Sequence, residues 1–164
     1  MLQHADSRRR LLAAAGLTAF GLVVASLVLA RTLNLAACPL CILQRMLYLT
    51  LAVESIAAFF LARKPVAGRL TIILMSLTSL TGASIAAYQT WLQRFAKDVS
   101  CVADQSWWER FVYWAGEHYP WLFEATGLCS EAGWKFLGLS IAEWSLIAFA
   151  TFTIATLAAA RRKN

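Results

Sequence analysis

Apolar residues in this chain fall in long unbroken blocks rather than in stripes. Leu11 to Ala30 is twenty residues without a charge. At about 1.5 Å of rise per residue, such a helix covers the roughly 30 Å of hydrocarbon in a bilayer. Further blocks run from about Ile42 to Ala62, Leu70 to Trp91 and Trp144 to Ala160. Helices of a water-soluble core would be shorter and carry a polar stripe, whereas here only scattered Ser and Thr interrupt. In lipid each span must satisfy its own backbone polar groups, so the blocks predict helices. The expected fold is an all-α membrane protein, a four-transmembrane-helix bundle forming one domain over residues 1–164, with spans at about 11–30, 42–62, 70–91 and 144–160. Loops 31–41 and 92–143 connect spans on one side. Small residues four apart, Gly21 with Ala25 and Gly82 with Ala86, suggest two faces for close helix packing.

Composition agrees: 60% of residues are hydrophobic and 15% charged, which suits lipid as the main solvent. A net charge of +6 could suggest nucleic acid, but the positions of the charges argue against it. Arg8, Arg9, Arg10, Arg63, Lys64, Arg69, Arg161, Arg162 and Lys163 are nine of the fifteen basic residues, and all flank apolar blocks. The positive-inside bias then puts both termini and the loop around Ala67 in the cytoplasm, and the other two loops outside. All seven Trp lie at or beyond Trp91. Trp107, Trp108, Phe111, Trp114, Trp121 and Phe123 predict an interfacial helix in the long loop between spans 3 and 4. A small soluble cap packed on itself fits less well, because Glu109, Arg110 and Glu117 leave the segment amphipathic. The basic N-terminus and Leu35-Ala36-Ala37-Cys38 together resemble a lipoprotein leader. The apolar run exceeds the roughly 7–15 residues of such leaders, so it is expected to remain as a span.

There are four cysteines, Cys38, Cys41, Cys101 and Cys129, and this topology puts all of them outside, where disulfides persist. Cys38-Pro39-Leu40-Cys41 is a C-x-x-C motif, suited to thiol–disulfide exchange. It also suits zinc or a thioredoxin-like domain. No alternation of strand and helix surrounds it, and no second knuckle follows. His4 and His118 fall on opposite sides of the membrane, so no metal site is expected. Cys41 opens the second span, where free helix N–H groups favour a thiolate. Arg45 lies one turn deeper on the same face. An ionisable group there is a functional candidate, the alternative being a side chain that snorkels to lipid headgroups. Glu54, near mid-span, points away from Arg45 and is expected to hydrogen-bond a Ser or Thr of the third span, with no role in chemistry. A bridge between Cys101 and Cys129 would close a loop of about 28 residues, and as a mere staple it would add about 3.6 kcal/mol.

Cys-Pro-Leu-Cys-Ile-Leu-Gln-Arg at the start of a second span resembles the disulfide bond formation protein B family. So do the four spans, the cysteine pair of the long loop, and Gly127-Leu128-Cys129 followed by Trp134-Lys135-Phe136-Leu137-Gly138-Leu139. The resemblance covers nearly the whole chain. It implies a bacterial inner-membrane enzyme that reoxidises a periplasmic thioredoxin-like oxidant of the DsbA type and passes two electrons to quinone, either ubiquinone or menaquinone. It further implies that the oxidant attacks a Cys101–Cys129 bridge and joins Cys101. Cys129 then attacks Cys38, and Cys41 leaves as a thiolate facing the quinone, with Arg45 beside both. Family members often carry an acid before the Arg, where this chain has Gln44, and a His near the outer end of the third span, where it has Tyr88 or Gln89. Gln44, Gln89 and Gln93 are therefore candidate pocket residues. Two other readings stand beside this one. A vitamin K epoxide reductase-like enzyme also joins C-x-x-C to quinone, but its motif usually comes late in the bundle. A non-enzymatic membrane subunit stabilised by disulfides would show no quinone dependence.

Overall fold

The structure, a computed structural model, describes residues 2–61, 64–95 and 106–161. Its elements run α1 (Leu2–Thr32), α2 (Pro39–Leu61), α3 (Pro65–Phe95), α4 (Trp107–His118), α5 (Pro120–Phe123), β1 (Lys135–Phe136), β2 (Leu139–Ser140) and α6 (Ile141–Arg161). Among the described residues four stretches are long and apolar enough to cross a membrane: Arg9–Thr32, Pro39–Leu61, Val66–Phe95 and Ile141–Ala160. The protein is thus an all-α, four-span membrane protein. Its outward side chains agree: Leu17, Val53, Phe60 and Ile154 are 75%, 67%, 72% and 69% exposed. Lipid, unlike water, carries no penalty for such a surface.

Within the bundle α1 packs on α2, α2 on α3, and α3 on α6. Across the centre the Tyr48 ring of α2 stacks on Phe149 of α6, with centroids 4.1 Å and planes 6° apart, and Phe152 meets Tyr48 edge-on. Gly82 of α3 lies so close to the Phe149 ring that a Cβ would collide with it, and Ala86 one turn on is fully buried. That small-residue face packs as expected. The other does not: among the described residues Gly21 has nothing within 4 Å of where its Cβ would sit, and Ala25 is exposed. The inward face of α1 is instead Leu12, Gly16, Ala19 and Val23, with Gly16 seated against Ser55 and the Ser55 hydroxyl donating to the Leu12 carbonyl. In an Ala-rich helix, spacing of small residues alone does not say which face turns inward. Glu54 does find its partner on the third span, accepting from Thr78 Oγ1 at 2.9 Å.

The long loop holds more regular structure than the sequence foretold. The Glu109 carboxylate folds back onto Ser106, accepting from its N–H at 2.9 Å and its hydroxyl at 3.1 Å. This begins α4 and explains a buried acid. Val112 and Ala115 continue that inner face, while Trp107, Phe111 and Trp114 point away, 75%, 49% and 52% exposed. β1 and β2 pair antiparallel around Leu137 and Gly138, whose φ values of +53° and +81° suit a two-residue hairpin turn. Ser140 and Glu143 then cap α6 reciprocally: Ser140 N–H donates to the carboxylate at 2.7 Å, and Glu143 N–H to the Ser140 hydroxyl at 3.3 Å. Glu143 also pairs with Arg94, which ties the end of α3 to the start of α6.

Candidate active site

The described cysteines gather at the end of the bundle where α1 and α3 finish and α2 and α6 begin. The C-x-x-C motif is itself a helix start. Cys38 stands at the N-cap, its carbonyl accepting from Ile42 N–H at 3.1 Å. Pro39 follows at the first helical position, where a missing N–H costs nothing. Cys41 N–H points at Cys38 Sγ, 3.4 Å away, and the Cys38 thiol donates to Cys41 Sγ at 3.1 Å. Both sulfurs therefore lie at the positive end of α2.

A third sulfur arrives from the far side of the chain. Thr126 and Gly127 both donate their N–H groups to the Ala37 carbonyl at 2.9 Å. Gly127 comes so close to the Ala36 carbonyl that a side chain there would strike it. This clamp sets Cys129, 2% exposed, beside Cys38. The hydrogen bond with Cys129 is the largest influence pushing the Cys38 thiol well above its ordinary value, followed by that with Cys41 and by burial. Burial and these neighbours thus favour the protonated form of the reduced Cys38 thiol. Standing between Cys41 and Cys129, it is placed to share a disulfide with either.

The polar side chains around these sulfurs are fixed. Gln89 of α3, 1% exposed, donates from Nε2 to Cys41 Sγ at 3.0 Å and to Cys38 Sγ at 3.2 Å. Its Oε1 accepts from Gln44 Nε2 at 2.7 Å. Arg45 is 8% exposed. Its Nε donates to Ser26 Oγ of α1 at 3.3 Å and its Nη1 to the Leu122 carbonyl. The sequence placed Arg45 on the Cys41 face, and both line one cavity of about 130 Å³. Its hydrogen bonds, however, go to α1 and the loop rather than to sulfur. Arg45 also lines a second, more polar cleft of about 480 Å³ with Arg31, Asn34 and Glu124. Gln93 also borders the first cavity. Its Nε2 donates to the Glu131 carbonyl at 3.4 Å, while its Oε1 is buried with no hydrogen-bond partner among the described residues.

Cys101 lies outside the described residues. Sequence reasoning missed Ser26, Tyr48 and Leu122, and named Gly127 only as part of the motif that carries the family resemblance. Tyr48 follows Arg45 by three positions and lines the same cavity, with its hydroxyl 2.9 Å from Ser145 Oγ. The 3.6-residue period could have placed it on the Cys41–Arg45 face. Nothing local marks Leu122, whose contribution is a backbone carbonyl.

This arrangement, three sulfurs with one in the middle and a buried cation on the wall, is built for thiol–disulfide exchange. The family model described as disulfide bond formation protein DsbB matches residues 8–159. Disulfide bond formation protein B of Dechloromonas aromatica is 42% identical over 139 residues, which cover 82% of this chain and 81% of the relative. The proteins of that name from Nitrosomonas europaea and Nitrosospira multiformis are 36% and 34% identical, covering 82% and 79% of this chain and 82% and 77% of their own. The chain belongs to the disulfide bond formation protein B family, and is a multi-span membrane disulfide oxidoreductase that serves disulfide bond formation.

Proposed function

We propose that this protein reoxidises a periplasmic, thioredoxin-like disulfide oxidant of the DsbA type and passes the electrons to membrane quinone. One observation carries the reading: Cys38 contacts both Cys41 and Cys129 in a cavity that Arg45 also lines. The partner dithiol attacks a Cys101–Cys129 bridge and stays on Cys101. Cys129, released, attacks Cys38, and Cys41 leaves as a thiolate at the positive end of α2. Each exchange forms one S–S bond and breaks one. When the partner's second thiol frees it from Cys101, the partner departs oxidised and this chain holds one disulfide in place of two. A bound quinone supplies the acceptor for those two electrons, with two protons, and both bridges are restored.

The residues present fit such a ring. Leu22, Leu29 and Leu35 give the cavity an apolar wall. Arg45 offers a fixed planar donor, and the orphaned Gln93 Oε1 is an acceptor for a hydroxyl. Arg45 also stabilises negative charge that builds beside it. Ubiquinone and menaquinone both meet this description. In the bilayer of the bacterial inner membrane, the termini face the cytoplasm and the cysteine end faces the periplasm. Trp107, Phe111 and Trp114 of α4 then rest on the membrane surface.

The test is to trap the entry step. A thioredoxin-like partner lacking its resolving cysteine should accumulate as a mixed disulfide with Cys101, located by peptide mapping. A partner found on Cys38 instead would show the route to be wrong.

A further inference from the structure

Gln89 meets the sulfurs with its amide nitrogen, but a primary amide has two opposite faces. The NH₂ face donates and stabilises a thiolate; the oxygen face accepts and repels one. Nothing in Gln89 itself selects between them. The Gln89 oxygen is engaged by Gln44, which is 4% exposed and donates from its own Nε2 to Gln89 Oε1 at 2.7 Å. Once that oxygen is engaged, the nitrogen must face Cys41 and Cys38.

We propose that Gln44 and Gln89 form a single unit, in which Gln44 fixes the donor face of the Gln89 amide toward the sulfurs so that Gln89 stabilises Cys41 as the departing thiolate. Gln89 touches the reacting sulfur. Gln44 is a positioning residue that acts through it. The inference rests on the proposed reading of Cys41 as leaving group.

The unit makes an unusual demand on substitutions. Glutamate at position 44 has almost the shape of glutamine, but its carboxylate only accepts. It captures the Gln89 NH₂ group and turns the oxygen toward the sulfurs. Histidine at position 89 undoes this, because an imidazolium donates to the carboxylate from one nitrogen and to sulfur from the other.

The experiment uses reduced, full-length protein in detergent and measures the rate at which N-ethylmaleimide alkylates Cys41 at neutral pH, mapped by mass spectrometry. Gln44→Glu should slow Cys41 alkylation about tenfold, the loss of one hydrogen bond to a charged sulfur. Gln89→Leu should slow it to a similar degree. The double variant Gln44→Glu/Gln89→His should recover most of the lost rate. Because the imidazolium also offsets the carboxylate's charge, Gln89→Leu, which adds no charge at either position, is the arm that isolates the hydrogen bond. Should Gln89→Leu fail to fold, Gln44→Met, which frees the Gln89 oxygen without adding charge, should slow Cys41 alkylation too, and a wild-type rate there would overturn the proposal. A wild-type rate in Gln44→Glu, or a double variant no faster than Gln44→Glu, would overturn the proposal. Neither partner nor quinone enters this assay. If the reoxidation reading alone is wrong, the alkylation pattern stands while quinone reduction is missing.

Discussion

A buried arginine inside a membrane bundle is expensive unless its donors are met. Arg45 meets them with Ser26 Oγ and the Leu122 carbonyl, so it is held in one place rather than snorkelling freely. Under the proposed function that fixed charge serves quinone more than it serves the partner. Arg45→Ala should raise the apparent KM for quinone, while the rate of disulfide exchange with the partner changes much less. Arg45→Lys should recover part of the loss, since it keeps the charge but not the planar fork. Steady-state kinetics with quinone and partner varied separately would separate the two effects, and an unchanged KM for quinone in Arg45→Ala would leave Arg45 only a structural role. Cys38, Cys41 and Arg45 were legible in the sequence because their relation is local: one motif and one helical turn. Gly127 was visible only as a motif residue, because what makes it necessary is the Ala36 carbonyl, ninety-one positions earlier in the chain. Ser26 was hidden for the same reason, being a hydroxyl among many until α1 and α2 come together.

Among the elements, the spans were the most readable, since an unbroken apolar block of bilayer length fits little but a helix that crosses lipid. Their packing faces were only half readable. Gly82 and Gly21 each have a small neighbour four residues on, yet only Gly82 lies against a ring. The difference is set by α6, whose Phe149 is fully buried and fills the space that glycine leaves. Gly82→Leu should therefore destabilise the bundle by about 1–3 kcal/mol, the usual range for overpacking, read as a lower midpoint of thermal unfolding in detergent. Gly21→Leu should leave the midpoint unchanged. Equal effects at the two positions would mean that α3 and α6 do not meet at Gly82. The β1–β2 hairpin was missed altogether: it is short, and Leu at positive φ is uncommon enough that Leu137-Gly138 does not advertise a turn.

For the whole molecule, the placement of basic residues predicts a single orientation. At the end opposite the cysteines, the Arg9 guanidinium lies over the Phe59 ring, 4.2 Å from its centroid, at the same end as Ala67, which the structure places in the first turn of α3 rather than in a loop. A cysteine introduced at Ala67 should resist a membrane-impermeant thiol reagent added outside intact spheroplasts, while the half-buried Cys41 reacts once reduced. Labelling of Ala67→Cys from outside would invert the topology. The central claim, that two electrons cross from a soluble dithiol through the C-x-x-C pair to quinone, is tested most directly by one assay. Purified protein is mixed with a reduced DsbA-type partner and a soluble quinone, and quinone reduction is followed by absorbance. The account predicts catalytic reduction by the wild-type chain and none by Cys41→Ser, whose Cys101–Cys129 bridge still forms in an oxidising buffer. A Cys41→Ser protein that still reduces quinone with partner thiols would contradict it.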